Sequence, residues 1–389
     1  MALGGPGQTV AVVKPAARGG ALTEGGLSGM RTESGARTQS GMGTPSRTQA
    51  RGGMTSLSGR EPGAYQPHAL HAGGRTYLET NCYTDIIVEL LHACGYEPLA
   101  MLGFLVRMDF EGDQWTFFKP PPEDLELLYG LDIHEMQPYR PLPVQIAEQI
   151  DRGRTMIVEL DAFHLPDTAS TSYRAEHVKT SVVADAIDIP NQVFRYFHNA
   201  GLYELRDADF RGVFRLGEEL GEPLVQSPLS TGLPLPVLSA PSVLPPYTEL
   251  VRFEVGLGLQ GEALRETALG LLARHLGKRP RSNPFERFGE HLIKSLPALL
   301  EAGLADYHDY AFATVRMAGS AFELAASHAE WLLGEHGARA TAAMGEIVGA
   351  CKVLGFKLAR RRPFEPEPLI SGLASAWTRA TGALEEEVG

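Results

Sequence analysis

In the stretch ETNCYTDIIVELLHACGYEP, residues 79–98, a cysteine follows an asparagine at the head of an amphipathic run. Asparagine is a favoured helix N-cap, so Asn81 predicts Cys82 in the first helical turn. The free N–H groups and dipole there favour negative charge. A thiolate is the reactive form of cysteine, and a helix start promotes it. The same N–H groups can hold an oxyanion. One position therefore offers both an activated nucleophile and transition-state stabilisation. Cys94 continues the apolar stripe with Leu90, and Cys351 lies in a helical run, so both are expected in the core.

A nucleophilic cysteine needs a base and a group that orients the base. His177 opens the strand-like run HVKTSVVADAI, directly after the polar loop PDTASTSYRAE. The next strand ends YFHNAG and offers His198 and Asn199. A side-chain amide can hold an imidazole in the productive tautomer. A two-residue hairpin would set Asn199 opposite Thr180, so a bulge or longer loop is needed to bring it to His177. Asp161 interrupts the apolar strand VELDAF and is either a paired structural acid or part of the cleft.

Other clusters say less. His68 and His71 form an H-x-x-H pair without further ligands at zinc spacing, so no metal is expected and His71 is a candidate cleft wall. Asp109, Glu111 and Asp113 alternate in DFEGDQ without the rest of a calcium loop and read as a solvated turn. Two basic clusters break an acidic background: Arg274, His275, Lys278, Arg279 and Arg281, then Lys357, Arg360, Arg361 and Arg362. Such runs complement helix C-termini, and the second is a candidate docking patch for an acidic partner.

The elements that must position these residues fall into four stretches. Residues 1–62 are rich in Gly, Ser, Thr and Arg and are expected to be a disordered tail. Residues 63–222 mix helical and strand signals. A helix is predicted at 82–95, stopped by Gly95, with others at 123–129 and 144–151. Strands are predicted at 114–118, 155–163, 177–187 and 192–197, the last two joined by the turn DIPN. Residues 223–247 repeat proline and read as a linker or surface strap. Residues 248–389 are expected to be all-helical, at 258–276, 284–302, 304–334, 338–360 and 368–385.

The 47 acidic against 35 basic residues, net charge −12, argue against nucleic-acid binding. No apolar run reaches the ~20 residues of a membrane span. Three cysteines cannot form a disulfide framework, which makes the reducing cytoplasm the expected compartment.

A cysteine on a helix start, then a histidine and an asparagine on neighbouring strands, resembles the papain-like fold, including bacteriocin-processing peptidases. PHALHAGGRTYLETNCYTD, DFEGDQWTFFKPPPEDLELLYG, VELDAFHLPDT, EHVKTSVVADAID and YFHNAGLYEL are similar to an uncharacterised bacterial family associated with amino acid:carrier protein ligases. They resemble, more distantly, the butirosin-pathway aminoacyl acyltransferase. The resemblance covers about 64–216, together with YAFATVRMAGSAFELAASHAEWL at 310–332, where core packing competes with a groove for a pantetheine arm.

The resemblance implies an α+β papain-like catalytic domain followed by an all-α domain. It implies an acyltransferase that moves an aminoacyl group from a carrier-protein phosphopantetheine thioester to an amine. Cys82 would be nucleophile, His177 base, and Asn199, or else His198, the orienting group. No bound cofactor is implied; the partners would be an acyl or aminoacyl carrier protein and an amino acid:carrier protein ligase. Papain-like peptidases place a glutamine shortly before the cysteine, whereas Arg75, Thr76 and Tyr77 stand here. That leaves Gln114 or the Asn81 side chain as candidates for the second oxyanion donor. A cysteine hydrolase with water as acceptor, and a non-catalytic module that binds a loaded carrier, are the alternatives.

Overall fold

The computed structural model describes residues 48–49, 54–216, 246–254 and 256–389. The architecture is α+β: an antiparallel sheet with helices on both faces, followed by a helical region. Most of the tail and of the proline-rich stretch lies outside the described residues. The end of the tail does not behave as a disordered segment. Strand β1 (Thr48–Gln49) pairs with β2 (Thr55–Ser56), β2 pairs with the sheet, Leu57 is buried, and the Ser56 hydroxyl donates to Asp185 at 2.9 Å.

Helix α1 runs over Cys82–Ala93, and Gly95 takes the left-handed conformation (φ +82) that ends it. Helix α2 (Pro122–Tyr129) ends the same way at Gly130, and α3 spans Leu142–Asp151. The strand expected at 114–118 is only β4 (Gln114–Trp115), in a small hairpin with β3 (Phe110–Glu111).

The main sheet is built on β6 (Thr155–Asp161), β7 (Lys179–Asp188) and β8 (Val193–His198). Three further strands were not legible: β5 (Leu131–Met136), β9 (Gly201–Arg206) and β10 (Thr248–Phe253). β9 pairs with β8 at the sheet's edge, while β10 lies between β5 and β6. Residues 248–253, expected to head the helical region, therefore belong to the sheet.

Alternate residues face opposite sides of a strand, and the two sides bury different cores. Ile157, Val183, Phe197 and Val251 join α1 and the helical region in one core. Val158, Val182, Phe194 and Tyr196 pack with α3 and with α4 (Asp207–Val213) in a second.

Helices α5 (Gly261–Leu276), α6 (Pro284–Glu301), α9 (Ala338–Ala359) and α10 (Glu367–Val388) follow the expected spans. The long helix expected at 304–334 is divided into α7 (Leu304–Ala311), a π-helical turn (Phe312–Arg316) and α8 (Met317–Leu333). No helix among the described residues is long and apolar enough to cross a membrane.

Candidate active site

The N-terminus of α1 meets the ends of β6, β7 and β8 around a cleft of about 660 Å³. Cys82 lines it and is half-buried. Asn81 is the N-cap: its Oδ1 accepts from the Thr84 N–H at 2.9 Å, and its Nδ2 donates to the Phe118 carbonyl at 3.0 Å. Both ends of that amide are committed to holding the helix start, so it is not free to serve as an oxyanion donor. Asp85 N donates to Asn81 O. The N–H groups of Cys82 and Tyr83 thus lie outside the intrahelical ladder, beside the sulfur. Gln114, the other candidate donor, is exposed on its hairpin and does not line this cleft.

Tyr83 anchors the same turn to the sheet. Its hydroxyl donates to Glu249 of β10 at 2.6 Å, and burial, then Glu249, push its ionisation far above the ordinary tyrosine range. Lys119 pairs with Glu249 at 2.7 Å and stands 3.9 Å over the Tyr83 ring, which places an ammonium on the cleft wall.

His177 is oriented by Asp161, not by Asn199. Its Nδ1 donates to Asp161 Oδ2 at 2.6 Å, and the ring stacks on Phe163 with centroids 4.4 Å apart. By alternation Asp161 shares the α1 side of the sheet with Ile157. The imidazole is 71% exposed, with Nε2 unbonded among the described residues. The ring does not itself line the cleft, whereas its chain neighbours Val178 and Lys179 do.

Asn199 lines the cleft but lies in the β8–β9 turn at φ +44, a conformation asparagine tolerates better than most residues. The β7–β8 loop has four residues, 189–192, and β7 bulges at Asp185, so pairing ends at Val183 and Phe197. That register leaves Asn199 beyond the ladder.

His198 is 2% exposed and tied at both nitrogens: Nδ1 to Asp167 at 2.5 Å and Nε2 to the Thr180 hydroxyl at 2.7 Å. Asp167 also accepts from Tyr196 at 2.5 Å. Thr180 and His198 alternate with the second core, on the far side of the sheet from α1, and reach the cleft at the strand ends. The sequence offered Asp167 only as one polar residue in a loop; its partners come from register.

His71 lies beneath α1. Its Nδ1 bonds Glu89 and its Nε2 stands 3.3 Å from Asp85, both acids being buried on α1. Burial alone would push the ring down; the two carboxylates outweigh it and raise it to about 9. It is a structural ion-pair partner, and it lines a second cleft next to the first. Among the described residues no group of His, Cys, Asp and Glu could hold a metal.

Cys351 is buried and Cys94 is partly buried against the same core, and burial pushes each thiol up to about 12. Arg274 and His275 pair with buried Asp124 of α2, and Arg279 with Glu385 of α10, so much of the first basic cluster is structural. In the second, Lys357 lies 5.3 Å over the Phe364 ring and Arg361 donates to the Ala302 carbonyl, while Arg360 and Arg362 are exposed.

No curated protein matches the chain. Two family models do: the DUF1839 N-terminal domain over residues 66–229 and the DUF1839 C-terminal domain over residues 261–386. Together they span well over half of the sequence, the first holding Cys82, Asp161 and His177 and the second the π-turn and the helices around it. The chain belongs to the two-domain DUF1839 family.

Proposed function

We propose that the protein is a cysteine-dependent acyltransferase with a papain-like catalytic layout. In this reading Cys82 is the nucleophile, His177 the base, and Asp161 replaces the expected Asn199 as orienting group. The observation that carries it is the His177–Asp161 pair, on the face of the sheet where α1 presents its capped, thiol-bearing N-terminus. With Nδ1–H given to the carboxylate, Nε2 keeps the lone pair that a general base needs. His198 lacks that freedom, because Thr180 occupies its Nε2.

His177 takes the Cys82 proton as the ring swings from Phe163 toward the cleft. The thiolate attacks the carbonyl carbon of an acyl thioester, and the Cys82 and Tyr83 N–H groups receive the oxyanion. Collapse breaks the donor C–S bond, and the departing thiolate takes the proton from His177. An amine then attacks the acyl-enzyme and gives its proton to His177, and the Cys82 thiolate leaves and is reprotonated. An aminoacyl group on a carrier-protein phosphopantetheine is the proposed donor. Water in place of the amine makes the same machinery a hydrolase, which product analysis separates.

The test is intact-mass analysis under rapid quench with a short acyl thioester of N-acetylcysteamine. The wild type gains one acyl mass, and Cys82→Ala gains none. Turnover of the thioester by Cys82→Ala at the wild-type rate overturns the mechanism. Loss of acylation in His198→Gln but not in His177→Ala reassigns the base.

A further inference from the structure

The cleft at Cys82 does not stand alone. A second cleft of about 1120 Å³ adjoins it, between the segment 75–79, the π-helical turn and α9. Glu79, Thr171, Phe312 and Arg316 line both, so the two share a wall. Glu176 lines the larger and Val178 the smaller, so the backbone at His177 runs between them, although its ring lines neither.

The π-turn supplies Phe312 and Arg316 of the shared wall. One extra residue in a helical turn changes which side chains share a face, and such turns are frequent at functional sites. Here it brings Phe312, Val315 and Arg316 onto the larger cleft. Phe312 and Phe356 stay well exposed, two large rings at the opening of a cavity. Gly319 of α8 has no side chain where Tyr77, another wall residue, packs against it.

The polar groups are mixed in sign. Glu79, Glu176 and Asp309 line the cleft, and so do Arg75, Arg316 and Lys352. The Nε atoms of Arg75 and Arg316 are buried with no hydrogen-bond partner among the described residues. Arg75 Nη1 donates to Ser327 at 3.0 Å with Nη2 standing 3.8 Å from Glu323, and Arg316 Nη2 donates to the Glu79 carbonyl at 2.9 Å. The remaining unpaired guanidinium N–H groups are costly, and a phosphate oxygen accepts readily from such donors. Lys352 is exposed and makes no ion pair among the described residues. Carboxylates suit amide N–H donors, and the rings suit a methylene chain.

We propose that this larger cleft binds the arm of the acyl donor, an elongated amide-bearing thiol ending in a phosphate. The inference rests on the acyl-transfer reading and names the leaving group of that reaction. The thioester end passes Phe312 and Arg316 on the shared wall to reach Cys82, and the phosphate end stays with Lys352 and Arg75, which line only the larger cleft.

The experiment is calorimetric titration of the full chain carrying Cys82→Ala with desulfo-phosphopantetheine, an unreactive arm. Saturable binding is expected. Gly355→Phe and Lys352→Glu, each added to that chain, should weaken it at least tenfold. A Cβ at Gly355 meets only Val315 Cγ1, at 3.9 Å, so the ring fills cleft space, and Lys352 is exposed; both variants should fold. No saturable binding overturns the proposal, as does equal binding by both variants. Coenzyme A distinguishes the sources of the arm. Binding as tight as the bare arm indicates a nucleotide-linked donor, and tenfold weaker binding indicates an arm presented by a protein. Acylation of Cys82 by the short thioester without binding of the arm sinks this inference alone. Binding without any acylation sinks the catalytic reading and leaves the cleft.

Discussion

Replacing Asp161 with asparagine keeps the volume at His177 and removes the charge that stabilises an imidazolium. An amide can also hold the ring in the wrong tautomer. The acylation rate of Cys82 in Asp161→Asn should fall about 10²–10⁴-fold, the usual worth of a positioned acid–base group. Rapid-quench mass analysis reads this, with little change in thermal stability because the pair is largely exposed. Cys82, His177 and Asp161 were each visible in the sequence as residue types in telling contexts. Their pairing was not. It depends on the β6–β7 register, which sets Asp161 opposite Lys179 and so beside His177, while the bulge at Asp185 and the four-residue turn at 189–192 fix where β8 stops and leave Asn199 out of reach. His198 was a candidate from the sequence, but its bonds to Thr180 and Asp167 were hidden for the same reason, since a one-residue change of register sends a side chain to the other face.

Helix α1 carries two predictions of its own. Asn81→Ala removes a cap and leaves the Phe118 carbonyl without its amide donor. A loss of about 1–2 kcal/mol is expected in urea unfolding. The second concerns His71, held between Asp85 and Glu89. Its folded-state value, about 9, lies above the 6.5 of the free ring. That contribution to stability is complete below about pH 6.5 and is lost as pH rises through about 9. The unfolding free energy should fall by on the order of 3 kcal/mol between pH 6 and pH 10, and His71→Gln should flatten that slope. Helix starts and stops were legible because caps and left-handed glycines are local chemistry. The π-turn at Phe312–Arg316 was not, because the apolar spacing of 304–334 reads as one continuous helix.

Across the whole molecule, one hydrophobic core joins α1 and the sheet to helices α5, α6 and α8–α10. Asp124 of α2 ties the two regions further, bonding Arg274 and buried His275 of α5. Unfolding followed by far-UV circular dichroism and by tryptophan fluorescence should therefore give one coincident transition. Asp124→Ala, which strands His275, should cost about 3 kcal/mol without splitting it. The α+β class and most helices were readable from periodicity, whereas the sheet's membership was not. β10 reads as a short stretch between a proline-rich segment and a helix, and only the folded chain reveals β5 and β6 on either side of it. That placement has a consequence during synthesis. A ribosome that has released residues 54–216 has delivered β5 and β6 but not the strand that bridges them. Until residue 253 emerges, the nascent sheet has two open backbone edges facing a gap, the kind of surface that recruits stray strands.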